Sequence, residues 1–166
     1  KWLEPSAGKA AIAKKLSAIS NRGTLVELMD DNFSYLSSLE IGKLHNKDFL
    51  ACNVNELNGP FDKIVANPPF SKNQDIKHFV HMTEMLKEDG RVACITSDHW
   101  KHSSTQLCAA FRVWLNESKA KVTKIEQGAF KSSGTNIVTN RIVLNKSDIK
   151  TSFNVFLADF TAKKAA

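Results

Sequence analysis

Short apolar runs alternate with amphipathic helical stretches along most of this chain, and that alternation restricts its fold more than any other feature. A strand–helix–strand order is typical of a parallel sheet whose two faces are covered by helices. No helical pattern separates the last two apolar runs, so we expect them to form an antiparallel hairpin at one edge. The predicted strands cover residues 2–3, 24–28, 61–66, 91–96, 122–125 and 137–144, with one more inside 43–49, and the predicted helices cover 9–20, 31–39, 75–87 and 105–115.

The length of 166 residues suits one domain that can bury a good core. We expect that domain to occupy residues 1–146, followed by a partly disordered C-terminal extension over 147–166. Within the extension, residues 152–160 are expected to form a final strand or a tail docked on the core. No apolar run approaches the ~20 residues that span a bilayer, so no membrane partner is expected.

The net charge of +6 is compatible with a polyanionic partner. The lysines are scattered, so a solvated basic surface explains that charge equally well. Cys52, Cys94 and Cys108 are odd in number and widely spaced, which favours small buried hydrophobic residues over a disulfide set or a metal cage. Free cysteines of this kind indicate a reducing, intracellular setting.

Small or acidic residues follow the first three predicted strands. Ligands of open α/β sheets bind beyond the carboxyl ends of the strands, so these positions are candidates for a site. The small-residue turn of residues 4–8 lets backbone approach a ligand closely. Glu27 is positioned to accept from two ribose hydroxyls, and Asp48 from an exocyclic amine beside the ring of Phe49.

The fourth predicted strand ends in Asn67-Pro68-Pro69-Phe70. Each proline fixes its φ near −65° and restricts the residue before it to extended conformations. The Asn67 side chain, the Pro68 carbonyl and the Phe70 ring are therefore held in fixed relative positions. Two oxygens that accept from an NH₂ group, beside a ring that stacks on a flat face, suit an amino-bearing base.

Taken in order, these motifs resemble class I S-adenosylmethionine-dependent methyltransferases that modify the exocyclic amine of adenine in DNA. Residues 128–135 and 141–144 are similar to the late hairpin of the same enzymes, so the resemblance runs from about Trp2 to Lys146. It implies a Rossmann-like fold with a catalytic domain at 1–146, the cofactor S-adenosylmethionine, no metal, and a role in DNA methylation or restriction–modification. A cytoplasmic protein of a prokaryote or phage is the setting it implies.

The resemblance also implies a role for each matching residue. The turn at Pro5 to Gly8 would bind the methionine moiety, Glu27 the ribose, and Asp48 and Phe49 the adenine of the cofactor. Asn67 and the Pro68 carbonyl would hold the target amine, and Phe70 would stack on a base flipped out of duplex DNA. The implied cofactor-binding set is Glu4, Pro5, Ala7, Gly8, Glu27, Leu28, Asp48, Phe49 and Asn67, and the implied catalytic set is Asn67, Pro68 and Phe70.

The chain departs from the family in three ways. Ala10 stands where a second glycine is usual, so its methyl group is expected to be tolerated or to crowd the cofactor. The sequence starts at the first strand, so a segment that closes over the methionine end of the cofactor is expected to be missing or supplied otherwise, and no separate target-recognition domain is expected. Specificity would then come from loops, come from a partner subunit, or be low. The basic residues in or beside those loops, which are expected to meet phosphates, are Lys72, Lys101, Lys131 and Arg141.

The histidines are spaced in pairs, at positions 78 and 81 and at positions 99 and 102. Such spacing suits zinc, but no set of cysteines or carboxylates completes a site, so no metal is predicted. The segment His99–His102 is expected to be a surface loop or to line the substrate cleft. Trp114 is expected in the core. Ser6 is not a candidate nucleophile, because no histidine–acid pair is evident around it.

Two rival functions stay open. The same chemistry fits an RNA base or a protein glutamine, whose planar amide also presents an NH₂ group; Phe70 favours adenine, because family members that act on glutamine tend to carry tyrosine there. The chain also fits a catalytically inactive methyltransferase-fold subunit that binds nucleic acid. Cofactor binding separates that subunit from an enzyme.

Overall fold

The computed structural model describes residues 1–126 and 138–165 of the chain. None of the helices in these two ranges is long and apolar enough to cross a membrane. The strands are β1 (Trp2–Pro5), β2 (Gly23–Glu27), β3 (Lys43–Asn46), β4 (Phe61–Ala66), β5 (Leu86–Ser97), β6 (Lys121–Ile125) and β7 (Thr139–Asn145). The helices are α1 (Ala13–Ser17), α2 (Asp30–Ser37), α3 (Gln74–Glu84), α4 (His99–His102), α5 (Gln106–Glu117) and α6 (Phe153–Ala165).

The strands form one seven-stranded sheet in the order β3-β2-β1-β4-β5-β7-β6. Strands β1 to β5 run parallel, and β7 pairs antiparallel with both β5 and β6. The predicted α/β, Rossmann-like fold with an antiparallel edge pair is therefore confirmed. The strand order reverses between β1 and β4, and a doubly wound sheet binds ligands at such a switch point.

Helices cover both faces of the sheet, because successive residues of β1 and β2 belong to two different hydrophobic clusters. Trp2 and Leu25 point to the side where α1 and α2 pack, in a cluster that also holds Ala13. Leu3 and Val26, the next residue along each strand, belong to the larger cluster with α3, α5 and α6. This larger cluster contains the largest aromatic group of the core, and Trp114 is buried within it as predicted.

The face of the sheet on which α1 and α2 pack is covered less completely over one half than over the other. On that side α1 and α2 pack on β2 and β3. Val65, Ala93 and Ile95, which alternate with the buried residues of β4 and β5, are only half-buried. These three side chains form the floor of a cavity at the carboxyl end of the sheet.

The C-terminal extension is helical, so the expectation of a strand at 152–160 is wrong. Phe153 is buried, and its ring centroid lies 5.4 Å from that of Trp114 on α5. Phe156, Leu157 and Phe160 also pack against the core. Spacings of three and four residues place these four side chains on one face of a helix, whereas a strand would alternate them. The alternative of a tail docked on the core is confirmed.

Three further boundaries differ from the predictions. Helix α1 starts at Ala13 rather than at residue 9, because Ala10 has a left-handed φ of 64° and cannot continue a helix. Strand β5 starts at Leu86, so the predicted helix end at residues 89–90 is wrong. The Phe61 N–H donates to the Met85 carbonyl at 2.9 Å and joins the chain to β4 there. Residues 99–102 form the short helix α4, with Trp100 buried, rather than a surface loop.

Candidate active site

Two cavities meet at Ser6, at the carboxyl ends of β1, β2 and β4. The smaller cavity has a volume of about 350 Å³ and is lined by the residues that follow β2 and β3 together with Pro69 and His78. The larger cavity has a volume of about 740 Å³ and is lined by the turn after β1, by Asn67 and by Arg141. Ser6 lines both cavities.

The turn after β1 is held in a left-handed conformation. Ser6 has a φ of 64° and Gly8 a φ of 53°. The Ala7 N–H donates to the Val26 carbonyl at 3.0 Å, which fixes the turn against β2. A Cβ added at Gly8 would meet no atom within 4 Å, so glycine serves there for its backbone freedom rather than for space.

Glu27 is buried and both of its carboxylate oxygens hold backbone. Its Oε2 accepts from the Gly8 N–H at 2.7 Å, and its Oε1 accepts from the Met29 N–H at 2.8 Å. Glu27 therefore joins the loops after β1 and β2 and orders the wall of the smaller cavity. Each oxygen keeps a further lone pair, so the predicted contact with ribose hydroxyls is compatible with this structural role. Leu28 also lines this cavity.

Asp48 and Phe49 follow β3 and line the smaller cavity. The Asp48 Oδ1 accepts from the Leu50 N–H at 2.9 Å and caps a short 3₁₀ turn, while the residue itself is exposed. Phe49 is 2% exposed and packs against the rings of His78 and His81. Its ring therefore serves mainly in packing, and only a small part of it is available to a ligand.

Glu4 is a buried carboxylate that faces the larger cavity. It is 2% exposed, and its Oε2 has no hydrogen-bond partner within the described ranges. Burial raises the pKa of Glu4 to about 8, the negative charge of Glu27 adds to that rise, and the Ala13 backbone N–H opposes it. A buried carboxyl oxygen without a hydrogen-bond partner destabilises the folded state unless a ligand supplies that partner.

Asn67 is exposed at the end of β4 and lines the larger cavity. Neither its amide nor the Pro68 carbonyl forms a hydrogen bond with the described residues. Pro68 is buried and Phe70 is half-buried. Lys72 and Asn73, which follow this tetrapeptide after Ser71, have left-handed φ angles of 54° and 57°. Two such residues in succession store strain beside the predicted catalytic residues.

The four predicted phosphate contacts are placed differently from one another. Arg141 is exposed and lines the larger cavity. The Lys101 ammonium donates to the Asn140 amide oxygen and lies 3.5 Å from Asp98 Oδ1, so its charge is already partnered. Lys72 is exposed but lines neither cavity. Lys131, with the similar stretch at 128–135, lies outside the described residues.

The methyl group of Ala10 does not face the cofactor side of the turn. Ala10 is completely buried, packs with Trp2 and Ala13, and lines neither cavity. Of the two expectations for this departure, tolerance therefore fits the structure and crowding does not.

The three cysteines are free and buried, as the sequence predicts.

Within residues 1–126 and 138–165, no cluster of three or more histidine, cysteine or acidic side chains is arranged to hold a metal ion. His81 Nε2 lies 2.8 Å from the Cys52 carbonyl, and His102 Nε2 lies 2.8 Å from Asp98 Oδ2. The Asn140 amide, which donates to Asp98 at 2.8 Å, holds the pKa of that carboxyl below its usual range.

The sequence reasoning missed His78. Its Nδ1 lies 3.4 Å from Ser6 Oγ, so a histidine stands beside that serine. No carboxylate of the described residues hydrogen-bonds the His78 ring, so this pair lacks the acid of a nucleophilic triad. Position 78 is 72 residues away from Ser6 in sequence, and no spacing rule connects the two.

A third cavity, which we call the distal cavity, has a volume of about 810 Å³ and lies at the amino ends of β2 and β3. It is lined by residues such as Arg22, Gly42 and Lys43. It is larger than either cavity at Ser6, but it lies at the edge of the sheet opposite the switch point. We therefore place the candidate active site at Ser6.

No family model and no curated protein sequence matches the chain. Solved structures do match. An rRNA methylase from Streptococcus thermophilus gives a TM-score of 0.61 at 12% identity, over 87% of this chain and 86% of that one. TrmN from Thermus thermophilus gives 0.60 at 17% identity, over 87% of this chain and 43% of that one.

A protein from Listeria monocytogenes described as a class I S-adenosylmethionine-dependent methyltransferase gives a TM-score of 0.66 at 17% identity, over 90% of this chain and 54% of that one. This chain thus spans about half, or less, of the Listeria and Thermus proteins. At these identities the matches establish a shared fold. The resemblance of the tetrapeptide at 67–70 to adenine-modifying enzymes stays a prediction.

Proposed function

We propose that this chain transfers a methyl group from S-adenosylmethionine to the exocyclic amine of adenine in nucleic acid, with DNA as the polymer that the motifs favour. The observation that carries the proposal is the meeting of two cavities at Ser6. One is walled by Glu27 and Asp48, which suit a nucleoside, and the other presents the unpartnered amide of Asn67.

The residues of the site fit this cofactor. Glu27 and Asp48 offer acceptors for ribose hydroxyls and for an adenine amine. Glu4 Oε2, buried without a partner on the larger cavity, matches the ammonium group of a methionine moiety. A cation there would also favour the ionised form of Glu4. When bound, S-adenosylmethionine supplies a methyl group activated by a sulfonium.

Asn67 Oδ1 and the Pro68 carbonyl would accept the two hydrogens of the target amine, and Phe70 would stack on its base. The lone pair of an adenine amine is delocalised into the ring, and two acceptors on its hydrogens favour a pyramidal nitrogen with a localised pair. With the amine held there, its nitrogen would take the methyl group that the bound cofactor supplies and would release one proton to solvent. Positioning and fixed dipoles do most of this work.

RNA is the second candidate polymer, since one of the similar structures is named as an rRNA methylase. A protein glutamine remains an alternative substrate. An inactive subunit that binds nucleic acid remains an alternative function of the chain. The flipping of a base from duplex DNA and the selection of a target by a partner subunit also belong to it. Of the four predicted phosphate contacts, Arg141 is the exposed residue that lines the larger cavity together with Asn67.

The test is the transfer of a labelled methyl group from S-adenosylmethionine to mixed-sequence duplex DNA, single-stranded DNA and RNA, followed by nucleoside analysis. We expect label in N-methyladenine from one polymer, and its loss in Asn67→Ala. Label in another nucleoside would refute adenine as the target. No label in any polymer, together with binding of S-adenosylhomocysteine, would favour a protein substrate, whereas no binding would favour an inactive subunit.

A further inference from the structure

His78 is a buried histidine that the proposed chemistry does not use. It lies on α3, is 4% exposed, and nevertheless lines the smaller cavity with Glu27 and Asp48. Its ring touches two of the loops that form that cavity. It thus contacts the turn after β1 and the loop after β3 at the same time.

The ring of His78 is fixed from two sides. Its Nδ1 lies 3.4 Å from Ser6 Oγ. Its centroid lies 5.3 Å from that of Phe49, at an interplanar angle of 44°. Burial lowers the pKa of His78, the negative charge of Asp48 opposes that effect, and the charge of His81 adds to it. The imidazole is therefore neutral near pH 7 and carries a single N–H.

The contact with Ser6 allows two arrangements, in which the Ser6 hydroxyl either donates to Nδ1 or accepts from it. We take the first arrangement, which places the hydrogen on Nε2. No group of the described residues forms a hydrogen bond with Nε2. A nucleoside held by carboxylates presents its hydroxyls and amine to them, and its ring nitrogens remain as acceptors that need a donor. Lys47, the cation of this cavity, is already paired with Glu56 at 3.1 Å.

We propose that His78 binds the cofactor directly, by donating its Nε2–H to a ring nitrogen of the adenine in the smaller cavity. This inference rests on the proposed function, because it assumes an adenine nucleoside there. It adds a donor to a cavity that is also lined by Ser6, Lys47 and Gln74, whose side chains carry donors of their own. Asp48 would accept a hydrogen bond from the adenine amine, and His78 would donate one to an adjacent ring nitrogen. Hypoxanthine or a pyrimidine, which does not present this pair of groups, would bind less well.

The test pairs protein variants with ligand analogues. Binding of S-adenosylhomocysteine and of its 1-deaza, 3-deaza and 7-deaza adenine analogues is measured by calorimetry, without any turnover. We expect one analogue to bind wild-type protein about 5- to 10-fold more weakly than the parent, the effect of one hydrogen bond. In His78→Leu the parent should weaken by a similar factor, and that analogue should no longer be distinguished from it.

His81→Leu is the matched control. His81 lies one turn along the same helix and touches the same Phe49 ring, at 4.9 Å, but does not line the smaller cavity. It should leave the discrimination among analogues unchanged, and His78→Gln, whose amide N–H can take the place of Nε2–H, should keep part of it. Unchanged discrimination in His78→Leu would overturn the inference.

A second measurement is independent of whether His78→Leu folds. The ¹⁵N chemical shifts of the imidazole in the ligand-free wild-type protein report which nitrogen is protonated. A hydrogen on Nε2 is expected, and a hydrogen on Nδ1 would overturn the assignment. If wild-type protein does not bind S-adenosylhomocysteine at all, the proposed function itself is refuted. If wild-type protein binds it and substitution of His78 leaves the discrimination among analogues unchanged, only this inference is refuted.

Discussion

The two cavities that meet at Ser6 are built in opposite ways. In the smaller cavity, Glu27 and Asp48 already accept backbone N–H groups, and those hydrogen bonds shape the loops that carry them. In the larger cavity, Glu4 Oε2 and the Asn67 amide have no partner among the described residues. The polar groups of the smaller cavity therefore both stabilise the fold and offer contacts to a ligand. The polar groups of the larger cavity are available to a ligand only.

This difference has a consequence for mutations. A side chain that supports backbone cannot be removed without loss of stability, because the N–H groups it held are left unsatisfied. A side chain without protein partners can be removed with little effect on folding and a large effect on function. Stability and ligand affinity should thus be inseparable in the smaller cavity and separable in the larger one.

Asn67→Ala should give the largest effect on activity. We expect methyl transfer to fall by at least about 100-fold, as when one fixed dipole at a reacting group is removed. The melting temperature should be nearly unchanged, because the amide has no partner among the described residues. The affinity for S-adenosylhomocysteine should also be nearly unchanged, because the proposed function assigns the amide to the target amine, although the family resemblance also places Asn67 in the cofactor-binding set. Steady-state kinetics, calorimetry and thermal unfolding measure the three quantities, with the exposed Asn116→Ala on α5 as the control. An equal loss of cofactor affinity would refute the contrast between the cavities.

Glu27→Ala should lower stability and affinity together. Two backbone N–H groups, those of Gly8 and Met29, lose a charged acceptor, so the free energy of unfolding should fall by about 2–4 kcal/mol. S-adenosylhomocysteine should bind at least about 10-fold more weakly. Urea denaturation and calorimetry provide the measurements, and the exposed Glu117→Ala is the control. A variant that binds poorly but is as stable as wild type would show that the two roles of Glu27 are separate.

Glu4 should make the stability of the ligand-free protein depend on pH. Burial raises the pKa of Glu4 from 4.5 to about 8, so the folded state binds the proton more tightly than the unfolded state. Stability from this group is fully present below about pH 4.5 and is lost as the pH rises through 8. The loss should amount to a few kcal/mol, at about 1.4 kcal/mol per unit of pKa. Urea denaturation at several pH values should show the decline in wild type and a flatter profile in Glu4→Gln.

Arg141→Ala should have the smallest effect. If Arg141 meets one phosphate, the slope of log affinity for nucleic acid against log salt should decrease by about 1. Folding and binding of S-adenosylhomocysteine should be unchanged, because Arg141 is exposed. Binding measured by fluorescence anisotropy at several salt concentrations tests this, with Arg22→Ala at the distal cavity as the control. An identical slope for both variants would remove Arg141 from the nucleic-acid interface.

Local patterns predicted most of the sheet. Apolar runs such as 61–66 matched strands, because buried parallel strands are recognisable from short apolar segments. Prediction failed where one pattern allowed two structures. The stretch 152–160 has a helical face, but its aromatic residues also suit a strand, and only its packing on α5 decides between them. The start of β5 was hidden because residues 87–89 are charged and resemble a solvated turn.

The sequence by itself determined which residues follow each strand, since these are local features: the glycine turn, Glu27, Asp48 and the tetrapeptide at 67–70. Only the tertiary structure decided what these residues contact. It paired both oxygens of Glu27 with backbone, left Glu4 without a partner, and set His78 against Ser6 across 72 residues of sequence. Hydrogen-bond partners far apart along the chain are fixed by strand order and helix packing, so no local pattern of residues contains them.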